Sequence, residues 1–200
     1  MHSGIYIFEG IDNVGKTTII CELKKLIQET TDYKCLDIAF PGKEPRTLGN
    51  LVYHIHHHVE QYFDVPLNEI SLQLLHVASH IDLIQRQLKK LNNQRCIVLL
   101  DRFWWSTYAY GIAGGVGEEV IKSLIAPELV FWKDLNVKKI FLIERNNRQK
   151  EYGLNKDDVI LDKYRRLSED EPMCTKLSNN GSINDGVKKV YQIIFGENVL

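Results

Sequence analysis

Gly10-Ile11-Asp12-Asn13-Val14-Gly15-Lys16-Thr17 has the spacing G-x-x-x-x-G-K-[ST] of a phosphate-binding loop. The residues before it, Gly4 to Glu9 (GIYIFE), have the apolar, β-branched and aromatic character of a buried strand. The residues after it carry Ile19, Ile20, Leu23, Leu26 and Ile27 at three- and four-residue steps, the stripe of an amphipathic helix over 16–30. Strand, glycine loop and helix is the context the motif needs. A loop that wraps a polyanion must turn its backbone N–H groups inward, and Gly10 and Gly15 permit that approach. The unpaired N–H groups at the helix start add to the field. Gly10, Asn13, Val14, Gly15, Lys16, Thr17 and Thr18 are therefore the expected cradle for a nucleoside triphosphate. Lys16 would sit at the β- and γ-phosphates, and the Thr17 hydroxyl on Mg²⁺.

Outward from the loop, short apolar runs alternate with helical ones. Strands are expected at 5–8, 35–39, 96–100 and 139–143, with a weaker fifth at 174–177. Helices are expected at 16–30, 47–62, 68–91, 106–112, 117–132, 156–168 and 184–195. This alternation predicts an α/β fold: a P-loop NTPase with a five-stranded parallel sheet and helices on both faces. In the helix at 68–91, Ile70, Leu74, Leu75, Ala78, Ile81, Leu88 and Leu91 form the stripe expected to face the core. At 200 residues the chain reads as one domain, 1–200, with a short lid at about 144–156. The net charge of −1 supplies no basic field for nucleic acid. No apolar run is long enough to span a membrane. The four cysteines are dispersed without a C-x-x-C pair, which suits reduced thiols in the cytoplasm. The amino terminus is expected to run straight into the first strand, with no secretory leader.

In open parallel sheets ligands bind beyond the carboxyl ends of the strands. That rule draws attention to 9–18, 40–47, 101–111, 144–151 and 178–183. Asp101-Arg102 ends the run CIVLL: the carboxylate can serve a metal and the arginine can fork onto a phosphate. Phe40-Pro41-Gly42-Lys43-Glu44-Pro45-Arg46-Thr47 reads as a clamp on the acceptor side. Arg145 and Arg148, after the fourth strand, are candidates for a lid that closes over a transferring phosphoryl group. His54 and His58 stand at i, i+4, but no third metal ligand is placed to join them. Trp104 and Trp105 read as packing. Asn155-Lys156-Asp157-Asp158 imitates a guanine-reading N-K-x-D, yet it stands too far from the preceding strand for that role.

With these segments placed, the chain resembles the thymidylate kinase family of nucleoside monophosphate kinases. The resemblance rests on F-E-G-I-D-x-x-G-K-T-T at 8–18, F-P-G-K-E-P-x-T-L-G at 40–49, D-R-F at 101–103 and S-T-x-A-Y at 106–110. It implies transfer of the ATP γ-phosphate to a deoxynucleoside monophosphate, dTMP to dTDP, with Mg²⁺ held by Thr17 and Asp101, in a homodimer. Asp12 matches the acid at the sugar 3′-hydroxyl, and Tyr110 the aromatic beside the deoxyribose. Arg102, with Lys43 or Arg46, would meet the acceptor phosphate. Phe40 and Ser106 fall on the acceptor side with their motifs. The implied catalytic set is Lys16, Arg102, Arg145 and Arg148. Three departures stand out. His80 and His76 occupy the places of a base-reading arginine and a stacking aromatic. Gly111 replaces a glutamine. The lid is compact. Two competing readings are a deoxynucleoside kinase, with Glu44 as base, and a non-catalytic nucleotide-binding regulatory protein.

Overall fold

The structure is a computed structural model and describes residues 2–42, 44–92, 94–145 and 155–196. Five strands form one parallel sheet in the order β2-β3-β1-β4-β5. They are β1 (Gly4–Glu9), β2 (Lys34–Ala39), β3 (Cys96–Asp101), β4 (Val137–Glu144) and β5 (Cys174–Ser178). The sequence places all five, including the weak fifth. All of β1 is buried, as is all of β3 but its last residue, because helices cover both faces of the central strands. The edge strands β2 and β5 are only partly buried, so their sequences alternate where those of β1 and β3 do not.

The helices are α1 (Lys16–Thr30), α2 (Leu48–His57), α3 (Glu69–Leu83), α4 (Lys89–Leu91), α5 (Trp104–Ala113), α6 (Glu118–Trp132), α7 (Lys156–Glu169) and α8 (Ile183–Phe195). A π-helical stretch, Ile84–Leu88, joins α3 to α4. The expected single helix at 47–62 instead ends at His57, followed by a 3₁₀ turn at Val59–Gln61. α5 starts two residues earlier than expected, directly after the turn that closes β3. Ile19, Ile20, Leu23 and Ile27 bury the inward face of α1, and each such side chain contributes about 2 kcal/mol. Val187, Val190, Tyr191 and Ile194 do the same for α8, whose start is closed by a reciprocal Ser182–Asp185 capping box.

The stripe expected over 68–91 holds in its second half, where Leu88 is buried and Ile81 and Leu91 pack against the core, and fails in the first: Ile70, Leu74 and Ala78 are exposed, and the buried residues of α3 are Gln73, Val77, Ser79 and His80. The helix is turned so that its polar side chains meet a cavity at the carboxyl end of the sheet.

Candidate active site

β1 delivers the glycine loop at the centre of the sheet, where its neighbours are β3 on one side and β4 on the other. Gly10 and Gly15 both have positive φ, 140° and 95°. A Cβ on Gly10 would stand 2.4 Å from the Ile143 carbonyl oxygen, and one on Gly15 2.5 Å from Asn179 Nδ2. Only glycine fits either place. Asn179 holds the loop from the other side, donating Nδ2–H to the Val14 carbonyl at 2.7 Å. The Val14 side chain is itself in the core, so this residue offers the cavity only backbone.

Lys16 is buried, and its Nζ donates to the Ile11 carbonyl at 2.7 Å across the loop. Burial, reinforced by the Arg102 charge, pushes its ammonium down to about 8. Thr17 Oγ1 donates to Asp101 Oδ2 at 2.8 Å. The other carboxylate oxygen, Asp101 Oδ1, is buried with no hydrogen-bond partner among the described residues. A hydroxyl beside an orphaned carboxylate oxygen is an all-oxygen donor set, and it fits a hard divalent cation such as Mg²⁺.

At the end of β3 the chain turns at Arg102, which has φ 72°, a left-handed conformation that costs a non-glycine residue about 1–3 kcal/mol. The surroundings hold it there. Its N–H donates to the Phe8 carbonyl, and its guanidinium lies over the P-loop. Nη1 donates to Gly10 O at 3.1 Å, Ser106 Oγ at 3.0 Å and Tyr164 Oη at 3.3 Å. Nη2 reaches Asp12 Oδ1 at 2.5 Å and Tyr110 Oη at 3.5 Å. Tyr110 donates to Asp12 Oδ2 at 2.9 Å, closing a triangle. Burial pushes the Asp12 carboxyl up, but Arg102, Tyr110 and Lys16 outweigh it and hold it below the usual carboxylate range. Burial lifts the Tyr110 phenol, helped by the Asp12 charge.

Beneath Arg102 lies Glu9, fully buried, its carboxyl pushed up by desolvation. It accepts from Phe103 N at 2.9 Å, Ser106 N at 3.2 Å and Ser106 Oγ at 2.9 Å. It thus takes the Phe103 N–H at the start of α5 and shares the Ser106 N–H with the Phe103 carbonyl. Tyr164, from α7, closes the network at 2.8 Å from Ser106 Oγ.

These residues line a cavity of about 450 Å³, within the range of a nucleotide-sized site. Asp12, Asn13, Gly15, Lys16, Thr17, Thr18, Phe40, His76, His80, Asp101, Arg102, Ser106 and Tyr110 all face it, so most of the expected set converges. Arg46 does not: it is exposed on the turn before α2, outside the cavity lining. Arg145 is exposed at the end of β4 and also outside it. Lys43 and Arg148 lie outside the described residues. Glu44, the base a nucleoside kinase would need, is exposed and accepts from Gln87 Nε2, away from the cavity. Asn155 caps α7 by accepting from Asp157 N, so the N-K-x-D imitation is a helix start. Trp105 is buried against Phe103, as packing.

Sequence reasoning missed Tyr53, His56, Gln73 and Thr107, all of which face the cavity. Gln73 is legible only in retrospect. A Cβ on Gly111 would meet Ile121 Cδ1 at 2.7 Å and Gln73 Cγ at 3.3 Å, so the glutamine of α3 comes up against the space where a residue-111 side chain would begin. Among the described residues no group of three metal-ligating side chains forms around the α2 histidines.

The sequence profile of the thymidylate kinase family matches residues 8–184. The chain belongs to that family. A thymidylate kinase of African swine fever virus, from a warthog isolate, is 31% identical over 182 residues, covering 86% of this chain and 70% of the viral protein. A tick isolate's enzyme is 32% identical over 146 residues, and this match spans just 56% of its length. That of Finegoldia magna is 23% identical over 207 residues, with 96% of this chain and 98% of the bacterial protein aligned. Among solved structures, the thymidylate kinase of Ehrlichia chaffeensis superposes with a TM-score of 0.76 at 22% identity, over 96% of this chain and 98% of that one. That of Candida albicans gives 0.70 at 18%, over 96% and 91%. The fold is accordingly that of the P-loop NTPases. No helix among the described residues is long and apolar enough to cross a membrane.

Proposed function

We propose that the protein is an ATP-dependent nucleoside monophosphate kinase that converts dTMP to dTDP. The observation that carries this reading is the meeting of two cationic elements in one cavity: the P-loop lysine and the Arg102 turn, the latter paired with Asp12. A kinase acting on a monophosphate must bring two anions together, and positive charge on both sides lowers that barrier. Lys16 and the loop amides hold the donor phosphates. Thr17 and Asp101 would hold Mg²⁺, which supplies charge neutralisation on the triphosphate. Arg102 meets the acceptor phosphate, and Asp12 and Tyr110 receive the sugar, Asp12 at its 3′-hydroxyl. The attacking phosphate oxygen is already ionised, so no general base is needed. The exposed position of Glu44 counts against the nucleoside kinase alternative.

Arg145 and Arg148 complete the donor side as lid residues. The enzyme works as a cytoplasmic homodimer, and the exposed Ile70 and Leu74 of α3 with Leu51 of α2 form the matching faces. The test is ATP consumption across dTMP, dUMP, dCMP, purine and ribonucleoside monophosphates, with thymidine as control. Turnover is expected with dTMP and not with thymidine. Lys16→Ala should lower kcat by about a hundredfold or more while far-UV circular dichroism stays unchanged. A Lys16→Ala variant of undiminished turnover would overturn the assignment.

A further inference from the structure

A second cavity, of about 550 Å³, opens at the amino ends of the strands, at the far end of the sheet from the P-loop. Its walls are the segments that lead into β1, β2, β3 and β4. Every lining side chain is polar, none is a carboxylate, and two are cations, Arg95 and Lys138. Among the described residues neither cationic side chain has an ion pair or a hydrogen-bond acceptor. Asp32 and Asp134, which adjoin these segments, lie outside the lining.

Unpaired cations on a surface are common. What sets these two apart is how each is held. The β1–β4 ladder skips a residue: Ile5 pairs with Val137 and Tyr6 with Lys139, so Lys138 has no partner on β1. Such a bulge is rare between parallel strands, and it re-aims the side chain of the extra residue. The lysine stem then lies across Gly4. A Cβ there would stand 2.7 Å from Lys138 Cγ and 2.7 Å from the Asn136 carbonyl oxygen, so only glycine leaves the stem its place. The Arg95 guanidinium lies over the Tyr33 ring, 5.1 Å from its centre, and that ring is braced by His2 and Phe195 at 6.1 Å each. The floor is cross-linked by asparagines. Asn92 Oδ1 accepts from Asn136 N at 2.6 Å, Asn92 Nδ2 donates to the Asp134 carbonyl at 2.8 Å, and Asn136 Nδ2 donates to the Ser3 carbonyl at 3.2 Å.

We propose that this cavity is a second, non-catalytic anion site, which takes a phosphoryl dianion, free or carried on a small ester, between the Arg95 fork and the Lys138 ammonium. A guanidinium can meet two phosphoryl oxygens at once, and an ammonium meets a third as a point charge. The chain supplies no anion of its own there, so the occupant displaces only water. The volume exceeds a free phosphate and leaves room for a sugar-sized body beside it. The inference stands apart from the kinase reading, since it uses no residue of the catalytic cavity.

The probes are inorganic phosphate and ribose 5-phosphate, titrated at about pH 7.5, where both are mostly dianionic, with chloride holding ionic strength constant. The reporter is the nitrogen-15 resonance of the Arg95 Nε–H, assigned by its disappearance in Arg95→Gln. Wild type should give a saturable shift with a dissociation constant of about 1 mM. Lys138→Ala should weaken binding by about tenfold or more, and its fold should survive because residue 138 is exposed. Lys16→Met should leave the Arg95 titration unchanged, which separates this site from phosphate at the P-loop. Tighter binding of ribose 5-phosphate would identify an ester as the occupant, and tighter binding of inorganic phosphate the free ion; either sustains the proposal. A linear shift without saturation, a shift that chloride reproduces, a Lys138→Ala titration equal to wild type, or loss of the shift in Lys16→Met would each overturn it.

Discussion

Lys16 combines a motif position with an unusual environment. Its ammonium is buried against the Ile11 carbonyl, and burial pushes it down to about 8. A bound triphosphate favours the charged form and raises that value, so above about pH 8 the complex holds more protons than the free protein. Affinity for ATP should then be flat below about pH 8 and fall by up to about one decade per unit above it. Titration calorimetry at pH 8.5 to 9 in two buffers of different ionisation enthalpy should register proton uptake, and Lys16→Met should abolish it. Binding without proton uptake would show that the lysine is already fully charged in the free loop. Arg102 makes the complementary point about legibility. Its identity was readable from D-R-F, but its left-handed backbone and its contact with Asp12 were not, since both depend on β1 and β3 lying side by side.

At the scale of elements, α5 is placed by a carboxylate that sequence reading left without a role. Glu9 stands in for the missing N-cap side chain, because the Phe103 side chain carries no acceptor. Glu9→Ala would leave the buried Phe103 N–H unsatisfied, leave the Ser106 N–H only its bond to the Phe103 carbonyl, and open a cavity beside them, a cost of about 2–4 kcal/mol. The melting temperature should drop by about 5–15 °C. Glu9→Gln keeps one oxygen for both N–H groups and should lose about 1 kcal/mol, while raising KM for dTMP more than KM for ATP, because Ser106 and Arg102 shift with α5. Equal stability of wild type and Glu9→Ala would remove the capping role. The strands and most helices were legible because buried parallel strands and amphipathic helices carry strong periodic signals. The orientation of α3 was not. Its apolar stripe and its cavity-facing side are distinct, and the side that packs inward carries Gln73 and His80, which hydrophobic periodicity counts as solvent-facing. Glu128 was hidden for the same reason: a carboxylate in an amphipathic helix reads as exposed unless its histidine partner on another helix is known.

For the whole molecule, the misread stripe becomes the most informative surface. Ile70 and Leu74 stand one turn apart on α3 at 42% and 47% exposure, and Leu51 on the adjacent α2 is at 45%. A two-fold dimer over this face would use the same patch on both subunits, and a stable one buries about 1,600 Å² in total. The cavity-facing residues of α3, Gln73, His76 and His80, lie on a different side of the helix, so under the homodimer proposal one helix would serve both association and the cavity. Because the interface is isologous, Leu74→Glu places a carboxylate in each half of the same contact, and the two repel as well as desolvate. Sedimentation velocity should show a dimer for wild type and a monomer for Leu74→Glu, with the helical spectrum preserved because residue 74 makes little use of the core. Loss of the dimer should also weaken dTMP turnover, as α3 gives up a support on its outer side while keeping its cavity face. A wild type that sediments as a monomer at assay concentration would end the homodimer proposal and leave the cavity, with its P-loop, its Arg102 turn and its histidine wall, to operate in a single chain.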